Sequence, residues 1–149
     1  MKDDISGPLT LNVGKIDVSE GLFRLTADIR YPVTATEETV SERISSSLSG
    51  TGVRANTVKH DLPLNFPPDS ALIQKLRAVY KDYTGDTSPP VAIGGGTYAR
   101  RLPNIVAFGP YRPGQPPPIH VPDEFISCED LISDAKIYAR AIYQLARRQ

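Results

Sequence analysis

The chain's 149 residues leave room for one ordinary domain, or for two small pieces of a larger one. Lys plus Arg equal Asp plus Glu at 17 each, so there is no basic excess to attract nucleic acid or an anionic membrane. No run of about 18 apolar residues is present to span a membrane, residues 1–10 lack the apolar core of a signal peptide, and the one cysteine, Cys128, has no internal disulfide partner, so a cytoplasmic protein is expected.

Leu9, Leu11 and Val13 alternate with polar or small residues, as do Phe23, Leu25, Ala27 and Ile29. A turn-rich stretch at 17–21 joins the two runs, which predicts a hairpin with one apolar face. Pro32 closes the second strand, because proline has no N–H to give to a ladder. Thr34 and Glu37 have the spacing of a capping box. After them Val40, Ile44 and Leu48 form a narrow helical stripe, ended by Gly50 and Gly52. Residues 53–58 read as a third, more polar strand. Strand, strand, helix, strand over the first 60 or so residues predicts an open α+β sandwich with one helix layer.

Prolines at 63, 67 and 68 interrupt this pattern and mark a hinge at about 61–68. Beyond it Asp69 or Ser70 is placed to cap a helix whose face carries Leu72, Leu76, Val79, Tyr80 and Tyr83, with Gly85 at its C-terminal end. Two short apolar runs, 91–93 and 105–108, read as buried strands on either side of Gly94, Gly95, Gly96 and Thr97. A second proline-rich stretch, 110–118, leads to His120. Ser127 and Asp130 then cap a terminal helix with a stripe of Leu131, Ala135, Tyr138, Ile142 and Leu145. Helix, strand, strand, helix is the order of an α/β layer. Two such strands do not complete a sheet buried on both faces, and both halves read as portions of something larger.

Four places carry candidate chemistry. Three successive glycines permit unusual backbone conformations and close approach of another group. They lack the Lys-Ser/Thr of a phosphate-binding loop and the spacing of a dinucleotide fingerprint, although exposed N–H groups there can hold an anion. His120 precedes Asp123 and Glu124, a setting that suits a zinc ligand with a carboxylate to orient the ring, though a site needs three or four ligands. Arg30 ends a strand two residues after Asp28 and on the same face. That pair is either an exposed salt bridge or a fork for a carboxylate. His60 reads as surface or hinge packing. Cys128, at a helix start with no basic neighbour in sequence, reads as a packing residue.

Taken in order, ADIRYP, AIGGGTYARRLPNIVAFGP and HVPDEFISCEDLISDAKIYARAIYQLA resemble the C-terminal part of the PepV-like Xaa-His dipeptidases, within the dinuclear-zinc superfamily that also holds carboxypeptidases and aminoacylases. The resemblance covers about 9–146. It implies that residues 1–64 are the second part of a lid domain, a ferredoxin-like half. Residues 65–149 are then the closing part of a zinc-peptidase catalytic domain, and the proline-rich joint is the lid hinge. His120 matches the last zinc ligand and Arg30 the lid arginine that binds the substrate's free carboxylate. Gly94, Gly95, Gly96 and Thr97 match the glycine loop beside the bound dipeptide.

Nothing in the chain matches the family's other zinc ligands, its catalytic glutamate, or the asparagine and histidine that help hold the oxyanion. The expectation is therefore a dipeptidase fragment with no catalytic residue of its own, inactive alone, holding no zinc or holding it weakly. Its partners would be a dipeptide and the missing N-terminal portion of the same enzyme. The alternative is a stand-alone, non-catalytic peptide-binding or self-associating module that dimerises through unfinished sheet edges.

Overall fold

A computed structural model describes residues 1–109, 112 and 120–147, and the fold is of mixed α+β class. The chain divides into two compact units, Met1–Asn65 with Val91–Gly96, and Phe66–Pro90 with Thr97–Gln149.

The first unit is built on a hairpin. Two short strands, β1 (Lys2–Asp3) and β2 (Gly7–Pro8), pair antiparallel and lead into β3 (Thr10–Ser19) and β4 (Leu22–Arg30). Ser19 pairs with Leu22 across a two-residue turn in which Glu20 and Gly21 have φ of 50° and 76°. Positive φ at both central positions gives the turn the twist of the flanking strands, and glycine takes it without strain. A bulge between Val13 and Lys15 has a larger effect. An extra residue shifts the side-chain alternation by one, and here that shift keeps the apolar residues together. Leu11 pairs with Ile29, Val13 with Ala27, Ile16 with Leu25 and Val18 with Phe23, so one face of the hairpin is wholly apolar. That face is largely bare: Ile16 is 57% exposed, Val18 73% and Phe23 61%.

Helix α1 (Glu37–Ser47) stands at the open end of this hairpin. Its cap is Thr36, whose hydroxyl accepts the Thr39 N–H, two residues later than the predicted Thr34. Met1, Leu9, Leu11, Ile29, Val40 and Ile44 line an opening there, and Val40 is the buried aliphatic residue of the unit. Residues 53–58 are not a strand. Side chains hold this segment instead of a backbone ladder: Thr57 donates to Glu37 Oε1 at 2.5 Å, and the His60 ring stacks on Tyr31 at 6.1 Å between centroids.

The second unit has the better core. Helix α2 (Ala71–Thr84) starts at Ser70 and ends at Gly85, left-handed with φ 74°. Helix α3 (Cys128–Ala146) is capped by Ser127, whose Oγ accepts the Asp130 N–H at 3.0 Å. Leu76 and Val79 of α2 meet Ile137 and Ala141 of α3, with Leu72, Tyr80, Val106 and Phe108 packed against them. Phe108 stands edge-on to both Tyr80 and Tyr138.

The predicted stripes need correction here. Tyr83 is 47% exposed, and Leu131 and Ile142 of α3 are 56% and 67% exposed while Ile137 and Ala141 are buried. Helix α3 is apolar on more than one side, and only one side is covered by described residues. Nor do 91–93 and 105–108 pair into a sheet. A strand is defined by a hydrogen-bonded neighbour, and the described residues offer these runs none; Val106 and Phe108 pack through their side chains instead.

Replacing Ile137, which is 3% exposed, with Ala should cost about 2–5 kcal/mol in urea denaturation. Ile16→Ala on the bare hairpin face should change stability by no more than about 0.5 kcal/mol.

Candidate functional site: an anchored arginine at the hairpin end

Arg30 is the last residue of β4, paired with Thr10, and Asp28 pairs with Asn12. Side chains alternate along a strand, so Arg30 and Asp28 share the polar face, opposite the apolar one. Arg30 Nε donates to Asp28 Oδ1 at 3.3 Å, and Arg30 Nη1 donates to the carbonyl oxygen of Gly94. Residues 64 apart in sequence thus meet within one unit.

The chain that follows Arg30 is tied down by the N-terminal strands. Val33 N–H donates to Ser6 Oγ at 2.9 Å, and both the N–H and the hydroxyl of Thr34 donate to Asp3 Oδ2. Asp3 also accepts from the Ser6 N–H at 2.6 Å. These bonds favour the ionised carboxylate and hold its pKa well below the usual range, the Ser6 N–H contributing most.

The glycine loop splits by role. Gly94 lies against Arg30: a Cβ there would meet Nη1 at 3.5 Å and Cδ at 3.9 Å, whereas one at Gly95 or Gly96 would meet nothing within 4 Å. None of Gly94, Gly95 and Gly96 has positive φ, so their value here is small size rather than unusual backbone. Thr97 falls in the second unit and is the N-cap of a 3-10 turn, Tyr98–Arg101, without a side-chain cap bond.

His120 also lies in the second unit, exposed and left-handed at φ 59°. Its N–H donates to Glu124 Oε2 at 3.1 Å. Among the described residues no group of three His, Cys, Asp or Glu side chains is placed to hold a metal ion. The residues present therefore do not fit a dinuclear zinc centre, which needs more donors than one exposed imidazole. Cys128 is a free, exposed thiol at the first turn of α3.

Arg112, which carries no predicted role, lies in the proline-rich 110–118 stretch; the rest of that stretch is outside the described residues. Arg112 Nε contacts Asp130 Oδ1 at 3.0 Å and Nη2 contacts Asp134 Oδ1 at 2.8 Å, with Asp134 only 5% exposed. A lone cation ahead of an Asp-x-x-x-Asp helix start was the available signal. No helix of the described residues is long and apolar enough to cross a membrane.

The profile of Peptidase family M20/M25/M40 matches residues 4–144. The chain belongs to that family. It is 40% identical over 147 residues to "Putative dipeptidase YtjP" of Bacillus subtilis, covering 98% of this chain and 31% of that protein. It is 35% identical over 144 residues to "Putative dipeptidase SH1171" of Staphylococcus haemolyticus, covering 95% of this chain and 30% of that one. This M20 chain thus spans about three-tenths of the length of the curated relatives it matches.

Because the folded-state pKa of Asp3 is depressed, the stability it contributes is present above the ordinary carboxylate range and is lost as pH falls below about 4. Thermal melts from pH 6 downward should show wild type losing stability below pH 4 more steeply than Asp3→Asn, which has no carboxylate to protonate.

Proposed function

We propose that the chain supplies the carboxylate clamp and the closing part of the catalytic domain of a zinc-dependent dipeptidase of the M20 family. Residues 1–64 serve as the second part of its lid and 65–149 as the end of its catalytic domain, with the hinge at 61–68. The observation that carries the reading is Arg30, held at a strand end with its guanidinium fixed by Asp28 and the Gly94 carbonyl. A planar fork of N–H donors matches the two oxygens of a free C-terminal carboxylate. Gly94, Gly95, Gly96 and Thr97 flank the dipeptide, and His120 contributes one imidazole to the metal centre.

On this reading the remaining zinc ligands and the catalytic glutamate are supplied by polypeptide corresponding to the rest of the relatives, and the isolated chain is inactive. Two features favour it. The chain aligns with only 31% and 30% of two dipeptidase-named relatives, and apolar faces of both the hairpin and α3 stand uncovered. The enzyme works in the cytoplasm, where an exposed lone thiol such as Cys128 stays reduced. The same bare hairpin face favours a second reading, a self-associating module without catalysis.

Co-expression with the remaining part of the Bacillus subtilis relative is expected to give metal-dependent dipeptide hydrolysis that this chain alone lacks. In that mixture Arg30→Ala is expected to lower kcat/KM about 100-fold for free dipeptides and hardly at all for C-terminally amidated ones. A folded chain that forms a homodimer in light scattering, with no hydrolysis in the mixture, would replace this reading with the self-associating module.

A further inference from the structure

We propose that Asp28 and the Gly94 carbonyl are positioning groups, which clamp the Arg30 guanidinium from its two flanks and leave its end-on edge as the ligand-binding edge. The inference rests on the proposed carboxylate clamp and adds to it the residues that set the clamp's orientation.

A guanidinium is flat and carries five N–H donors in fixed directions. Its Nε–H lies on the flank shared with Nη2, and Nη1 lies on the opposite flank, beside Cδ. Asp28 takes the Nε–H at 3.3 Å. Gly94 occupies the other flank: its carbonyl takes an Nη1 hydrogen, and the space where its Cβ would stand is 3.5 Å from Nη1 and 3.9 Å from Cδ. Two partners on opposite flanks fix both the plane of the group and its rotation within that plane. Neither partner needs the outward hydrogens of Nη1 and Nη2. Among the described residues Nη2 has no hydrogen-bond partner.

The Asp28–Arg30 pair is exposed, 59% and 54% by side chain, and contributes little to stability as a surface pair. Its consequence lies elsewhere. Arginine has many rotamers, and a ligand that must order the side chain loses affinity in doing so. Here the ordering precedes the ligand. The Asp28 carboxylate also cancels the charge of Arg30 at long range, so selection rests on shape. A planar carboxylate that lies in the guanidinium plane fits two parallel donors, whereas a spherical anion does not.

The test uses the 149-residue chain itself, labelled with nitrogen-15 and observed at the arginine Nε–H resonances. Arg30→Lys assigns the signal by its loss. In wild type the Arg30 Nε–H is expected to exchange with water at least 10-fold more slowly than in free arginine. Asp28→Ala should return it to the free rate, and Asp28→Asn, whose side-chain oxygen still accepts, should largely restore protection. Gly94→Val should shift the signal, because a branched side chain fills the space beside Nη1; Gly94→Ala, at ordinary contact distance, should not. Backbone amide spectra of the hairpin confirm that each variant is folded.

Glycylglycine is then titrated, with its amide and sodium chloride as controls. The free dipeptide is expected to shift the Arg30 signal, and Asp28→Ala to weaken that binding about 10-fold. A protected signal that no dipeptide perturbs would support the positioning and overturn the carboxylate reading. Equal exchange in wild type and Asp28→Ala would overturn the positioning, whatever the dipeptide does.

Discussion

An apolar face on a two-stranded ribbon has to be covered by something, and this constraint governs the whole chain. The bulge after Val13 gathers four apolar cross-strand pairs onto one side of the hairpin, where a one-residue slip would scatter them. Helix α1 stands over only the end of that side, near Leu11 and Ile29. The outer part carries exposed Ile16, Val18 and Phe23, a contiguous patch of the kind that proteins normally use for contact. Two strands are also too few for an independent sheet. The hairpin is therefore strongly specified in register and weakly specified in cover. Helix α3 repeats this: Ile137 and Ala141 are buried against α2, while Leu131 and Ile132 are more than half exposed.

Local polar bonds do much of what a core does elsewhere. Asp3 ties the β1–β2 turn to Val33 and Thr34 through Ser6 and its own carboxylate, fixing the path of the chain directly after Arg30. In the second unit Asp130 is drawn below the usual carboxylate range, first by the Ser127 hydroxyl and then by Arg112. Asp134 is the deeper case. A buried carboxylate is stable only when paired, and Arg112 meets it at 2.8 Å. Tyr80 and Tyr138 beside this pair have raised pKa values, mainly because burial disfavours the phenolate. Residue 112 is thus pinned to the first two turns of α3.

What the sequence disclosed follows from what each signal encodes. Period-two alternation located the hairpin, and capping residues located Gly85 and Ser127, because those signals are local and backbone-based. The cap of α1 lies two residues beyond the predicted Thr34 because Thr34 and Thr36 both have the chemistry, and only the fold assigns Thr34 to Asp3. Composition alone marks 53–58, 91–93 and 105–108 as strands, since it speaks of burial and β-preference but cannot supply the neighbour that makes a strand. The predicted α3 stripe is right at Tyr138, which packs on Phe108, but omits Ile137 and Ala141, the residues buried deepest, because the helix is apolar on more than one side. Arg30 and Asp28 were legible as a same-face pair. Their link to Gly94 was not, since no local pattern records a contact across 64 residues.

That link changes what the glycine loop means. Three adjacent glycines suggest a backbone bent into a conformation other residues avoid, yet none of the three has positive φ. Only the first faces a neighbour, and that neighbour is the arginine. A Cβ at Gly94 would already stand in van der Waals contact with Nη1 and Cδ, which leaves little room on that side for a larger side chain. A Cβ at Gly95 or Gly96 would meet nothing within 4 Å. The loop thus divides into one residue set against Arg30 and two that stand in open space. The orientation of Arg30 is in this way set by contacts inside its own unit, from Asp28 and from Gly94.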